Sequence, residues 1–202
     1  MQPKLSNRSL LIVAIVSCLL YTVFLFYFIP KDPAQSNSAL FIENTDILPI
    51  QEHPDYGLPV ILKIPSIDVD STVEQVGLTS DGAMDVPKTR DNVAWFSLGS
   101  RPGEVGSAVM AGHYGIKDGK GSVFDNLHKL NKGDKLYIED EKGIITTFVV
   151  RESRRFDSQA DATKVFGSND GESHLNLVTC EGIWDEASGG YTQRLVVFTD
   201  KK

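Results

Sequence analysis

The chain has 202 residues, of which 41% are hydrophobic and 23% charged, and its formal net charge is −7. That length suits one compact domain with an anchor or tail and is short for two domains. An acidic chain with no basic stripe to neutralise phosphates excludes a nucleic-acid partner.

The first predicted element is a membrane span. No charged residue occurs from Leu10 to Ile29, and the run LLIVAIVSCLLYTVFLFYFI is about as long as a helix needs to cross a hydrocarbon core of roughly 30 Å. Tyr27 suits the membrane–water interface, and Pro30 stops the helix. Lys4 and Arg8 lie just before the run, and positive residues stay on the cytoplasmic side. The reading is a retained single-pass anchor over residues 1–29, with the bulk of the chain on the extracellular face of the plasma membrane. A cleaved signal peptide has a shorter apolar core followed by a small-residue cleavage site, and neither is seen here.

Residues 30–58 carry four prolines and no sustained period, which reads as an extracellular stalk. From Pro59 to Lys202 the texture is that of short strands between turns. Strands are predicted at 60–64, ending at Pro65, and at 71–76, 92–96 and 107–113. Two more, at 135–140 and 144–153, flank the turn Glu141-Lys142-Gly143 and form a hairpin. The last two are 174–180 and 194–200, with the segment EGIWDEASGGYTQ between them read as a loop. Helix signals are few: Ser122–Leu130 has helical apolar spacing, and Asp161–Phe166 could form one turn. Seven or eight short strands with little helix point to an all-β barrel or sandwich.

Two predicted strands end on reactive residues, His113 and Cys180, and a third begins at Arg194. Cys18 lies in the predicted span, so Cys180 is a lone extracellular thiol, where unpaired cysteines are uncommon. A thiol is a weak nucleophile until ionised, and a nearby cation favours the thiolate. Histidine can hand a proton to a leaving amine near neutral pH, and a guanidinium can hold an oxygen that gains negative charge. Together they describe acyl transfer through a thioester. The plainer alternative for Cys180 is a small buried hydrophobe.

The sequence around these residues carries a definite resemblance. Leu177-Val178-Thr179-Cys180 is similar to the T-L-x-T-C signature of sortases, with Asn176 in the place of its first Thr. Arg194-Leu195-Val196-Val197 resembles the R-x-V-V strand that follows, and Ala111-Gly112-His113 resembles the upstream A-G-H motif. The segments from His113 to Asp134 and from Cys180 to Arg194 resemble class F most, with classes D and E as alternatives. The resemblance implies a closed eight-stranded sortase-type β-barrel with one or two short helices, over residues 59–202. It implies cleavage of an L-P-x-T-G-like sorting signal between Thr and Gly, a thioester on the enzyme, and transfer to an amine. The partners implied are surface proteins bearing the signal and a cell-wall peptidoglycan precursor or pilin amine. Carried over by motif, Cys180 is the nucleophile, His113 the general acid/base, Arg194 the group that binds the carbonyl oxygen, and Thr179 a contributor to substrate contact.

No cofactor and no metal are expected: Asp68, Asp70, Asp81 and Asp85 lack the spacing of a calcium loop. His174 lies six residues before Cys180, about 20 Å away along an extended strand, too far to act on it. His128 is expected at the surface. Two other readings compete. One is a non-catalytic anchored β-domain, an adhesin or scaffold. The other is a different peptidoglycan-acting cysteine transpeptidase, whose histidine would stand much closer to its cysteine. The stalk holds no Asp-Pro-aromatic lid motif, which favours attachment over pilus polymerisation.

Overall fold

The computed structural model describes residues 55–202. The expected anchor at 1–29 and nearly all of the expected stalk lie outside the described residues. Among the described residues no helix is long and apolar enough to cross a membrane.

Eight strands form the domain: β1 (Pro59–Ile64), β2 (Val69–Val76), β3 (Val93–Phe96), β4 (Gly106–Gly112), β5 (Lys135–Asp140), β6 (Ile145–Asp157), β7 (Ser173–Asp185) and β8 (Gly190–Lys201). They close into a barrel in the order β1-β2-β3-β4-β7-β8-β6-β5, with β5 pairing back onto β1. Six of the pairs are antiparallel, and β2–β3 and β4–β7 are parallel. A parallel pair needs a long crossover rather than a tight turn. The β4–β7 crossover contains β5, β6 and the loop after them.

Side chains alternate between the two faces of each strand. Inward positions such as Leu62, Met110, Leu136, Phe148, Leu175 and Val197 fill the barrel. Outward Val109 on β4 and Val196 and Phe198 on β8 form a second, smaller apolar cluster with Val165 of the short helix, and Val178 on β7 packs against it. That second cluster matters for function, because Val165 and Val196 line a cleft.

Pro65 ends β1 as expected, since it has no N–H for the ladder, and the chain turns through Pro65–Ile67 into β2. The β5–β6 hairpin turns at Gly143, whose φ of 77° needs a glycine. The expected helix over 122–130 is instead a succession of tight turns, with a single 3-10 turn at Leu127–Lys129. Its bonds all run three residues back: Asp125 N–H to Ser122, Leu127 to Phe124, Lys129 to Asn126 and Leu130 to Leu127. The Asp125 carboxylate also accepts from the N–H groups of Ser122 and Gly115, which pulls this turn tight and away from α-geometry. The turn expected within 161–166 is helix α1, Thr163–Phe166.

The largest departure lies after Cys180. The strand does not end there; β7 continues to Asp185 and pairs with β8 as a long hairpin, with the register shifting between Glu181 and Trp184. Gly182, at φ 89°, sits in the shift. A bulge of this kind breaks the alternation that would have marked the segment as strand.

Candidate active site

Parallel β4 and β7 run side by side with Gly112 opposite Thr179. The residues that follow are His113, just past the end of β4, and Cys180 on β7. On the other flank of β7, Cys180 is the direct antiparallel partner of Arg194 on β8. Directly opposed residues share a face with Cβ atoms roughly 5 Å apart. All three expected residues thus come from neighbouring strands and line one cleft of about 340 Å³. The cleft floor is apolar, with Val178 and Val196, and its walls come from Met84 and Val86 on one side and α1 with Phe156 on the other.

Local packing explains why the motif residues are what they are. A Cβ on Gly112 would come within 2.8 Å of the Phe124 ring, so only glycine lets that buried ring close over the strand end. Phe124 then donates its N–H to the His113 carbonyl at 3.1 Å. Thr179 is 3% exposed, and its hydroxyl donates to the Gly112 carbonyl at 2.8 Å. Thr179 lines the cleft, but its hydroxyl is committed to tying β7 to β4.

The His113 Nε2 lies 2.9 Å from the Pro87 carbonyl oxygen. Arg194 folds back on its own hairpin, its Nη1 donating to the carbonyls of Tyr191 at 2.9 Å and Gln193 at 3.0 Å. Those bonds use one guanidinium nitrogen. Tyr191 also packs edge-on against Tyr114, centroids 5.4 Å apart, and against Trp184 at 5.3 Å. The hairpin tip is thus braced on the turn that follows His113. Cys180 is a free thiol, half-buried among these groups.

Asn176, the departure from the signature, lies on the outward face of β7 and is 2% exposed. Its Nδ2 donates to the Val165 carbonyl at 2.6 Å, which ties α1, the cleft wall, to the floor. Asp161, beside α1, is held below the usual carboxylate range by the Thr163 hydroxyl and N–H. The turn at Asp161–Phe166 was expected from the sequence, but nothing there marks it, Met84 or Val86 as cleft lining.

His174 is buried at the far end of β7, its ring nitrogens 2.8 Å from Asp200 and 3.0 Å from Asp170. It takes no part in the cleft. His128 is exposed.

The family model for the sortase domain matches residues 62–202. The chain is similar in structure to sortase C-1 from Actinomyces oris, with 23% identity and a TM-score of 0.55 over 70% of this chain and 72% of that one. It is similar to a Clostridium perfringens sortase D5 transpeptidase, at 24% identity and TM-score 0.53, covering 72% and 79%. It is also similar to sortase A from Corynebacterium diphtheriae, at 19% identity and TM-score 0.54, covering 73% and 62%. Among curated protein sequences there is no match. The structural likenesses carry the fold, and the family match runs through nearly the whole barrel and all the motif residues. The chain therefore belongs to the sortase family of cysteine transpeptidases.

Proposed function

We propose that this enzyme cleaves an L-P-x-T-G-like sorting signal between Thr and Gly and passes the surface protein to an amine of a cell-wall peptidoglycan precursor or a pilin. The observation that carries this reading is the meeting of Cys180, His113 and Arg194 on adjacent strands at one apolar cleft. In the first half-reaction the Cys180 thiolate attacks the Thr carbonyl carbon. An Sγ–C bond forms and the oxygen gains negative charge, which Arg194 stabilises by donating a hydrogen bond. The C–N bond to Gly then breaks, and His113 gives the leaving nitrogen its proton. The acyl group remains on Cys180 as a thioester. In the second half-reaction the acceptor amine attacks that carbonyl, His113 takes a proton from the amine, and the Sγ–C bond breaks to release the thiolate.

The apolar floor of Val178 and Val196 suits the Leu-Pro end of the signal. Thr179 contributes to substrate contact as part of the cleft lining, since its hydroxyl is already bonded. We place the enzyme as a single-pass protein of the bacterial plasma membrane, anchored by residues 1–29 and extracellular beyond them, on the strength of the apolar run and its positive flank. The segments around His113 and Cys180 support a class F-like type.

The test uses the full chain in detergent with a peptide containing Leu-Pro-x-Thr-Gly. Intact-mass measurement should show the acyl fragment on Cys180, and Cys180→Ala should lower turnover by more than about a thousandfold with the fold intact. Full activity in that variant, or acylation at another residue, sinks the assignment.

A further inference from the structure

β2 and β3 pair in parallel, so residues 77–92 form the crossover between them. After Val76 it makes a turn at Thr79–Gly82 and a bridge between Leu78 and Met84, then runs as a strap, residues 85–92, past the end of β4. Pro87 is buried while its sequence neighbours are exposed. Its carbonyl oxygen meets His113 Nε2 at 2.9 Å. A carbonyl oxygen has no hydrogen to give, so the ring nitrogen must donate. In the neutral imidazole this leaves Nδ1 as the basic nitrogen.

The strap is fastened at both ends of this contact. Glu74 on β2 accepts the Asn92 amide at 2.8 Å with one oxygen and the Lys88 N–H at 3.1 Å with the other. These bonds, the Asn92 amide first, hold the Glu74 carboxyl below its ordinary range, so it is charged when it accepts them. Arg90 Nη2 donates to the carbonyls of Tyr114, at 3.0 Å, and Gly115, in the turn that follows His113. Val123 N–H closes onto the Arg90 carbonyl at 2.9 Å. Proline at 87 fixes its own φ and keeps Val86 extended, so the carbonyl is presented from a stiff segment.

We propose that the Pro87 carbonyl is the group that orients His113, and that Glu74 is a positioning residue that holds it there. It performs the service that a third side chain performs in other nucleophile–base arrangements, with a backbone oxygen in its place. Nδ1 is then the atom that gives a proton to the leaving nitrogen and takes one from the incoming amine. This rests on the transpeptidase reading for its consequence, but its geometry is read without substrate.

The experiment labels the histidines of the full chain with nitrogen-15 and assigns His113 by the signal lost in His113→Gln. Above the titration of the ring, His113 should show a protonated Nε2 and an unprotonated Nδ1; the opposite pattern overturns the proposal. In Glu74→Ala the pattern should average between the two tautomers, and kcat/KM for the sorting-signal peptide should fall about tenfold. Glu74→Gln, which keeps one acceptor oxygen, should recover part of both. A Glu74→Ala enzyme with an unaltered tautomer pattern and full turnover also overturns it. Because the tautomer is read without substrate, its failure leaves the transpeptidase reading standing, and the Cys180→Ala result tests that reading separately.

Discussion

Thr179 and Gly112 stand opposite each other on β7 and β4, and the 2.8 Å bond between them fixes how the residue after each is placed. Those residues are Cys180 and His113. Thr179→Val keeps the shape and removes the donor, leaving a buried carbonyl short of a partner. The expected cost is about 1–2 kcal/mol of stability, measured by denaturant unfolding. Turnover should fall by about 3- to 10-fold through loosened alignment of the pair. Unchanged turnover in a destabilised variant would limit the bond to a structural role. The candidate residues stand out in the sequence because each sits in a short motif; the hydroxyl's partner does not. Where Thr179 points depends on strand parity and on β4 being its neighbour, and neither is written in the residues around Cys180. Asn176 lies within a strand, as the signature position implies, and its amide ties the cleft wall to its floor.

At the scale of elements, the β7–β8 hairpin does the least expected work. Its sequence, EGIWDEASGGYTQ, reads as loop because Gly182, Gly189 and Gly190 interrupt any alternation and both faces are largely exposed. Strand pairing continues regardless, since each segment finds the other across a short turn and resumes after the register shift. The tip carries Trp184 and Tyr191, and Tyr191 reaches over to Tyr114 and close to Gly115. The same residue offers its carbonyl to Arg194. Tyr191→Ala should cost about 1–2 kcal/mol from the two edge-on ring contacts, seen as a lower melting temperature. It should also reduce kcat more than it raises the peptide KM, because it frees the turn beside His113 rather than the apolar floor. A variant with unchanged kcat would show that the hairpin brace does not reach the site.

For the whole molecule, strand number and the order of the motifs were legible, but the neighbours were not. Nothing local says that β4 lies beside β7, yet that pairing in the closed barrel brings the candidate residues together. The closure also draws in the residues just before β1. Arg101 donates to the Tyr56 carbonyl at 2.7 Å, the Lys201 ammonium stands 4.7 Å from the Tyr56 ring centre, and Gly57 N–H donates to Asp140 at 2.8 Å. Asp140, buried at the end of β5, also accepts the N–H groups of Lys142 and Ile144. Burial pushes its carboxyl up, but the N–H groups of Ile144, Gly57 and Lys142 outweigh this and bring it below the ordinary range. Glu152, through Arg154, and Asp170, chiefly through the Glu172 N–H, are lowered as well. A carboxyl depressed in the folded state contributes stability above its unfolded value, near 4, and loses it as pH falls through that value toward the folded one. The melting temperature should therefore hold level from neutral pH to about 5 and drop below about 4. Asp140→Asn should melt lower at neutral pH, because its NH₂ faces backbone donors, and should show a shallower acid drop. A wild-type curve that stays flat into acid, or an Asp140→Asn curve parallel to it, would mean that this carboxylate does not help bind the chain before β1 to the barrel.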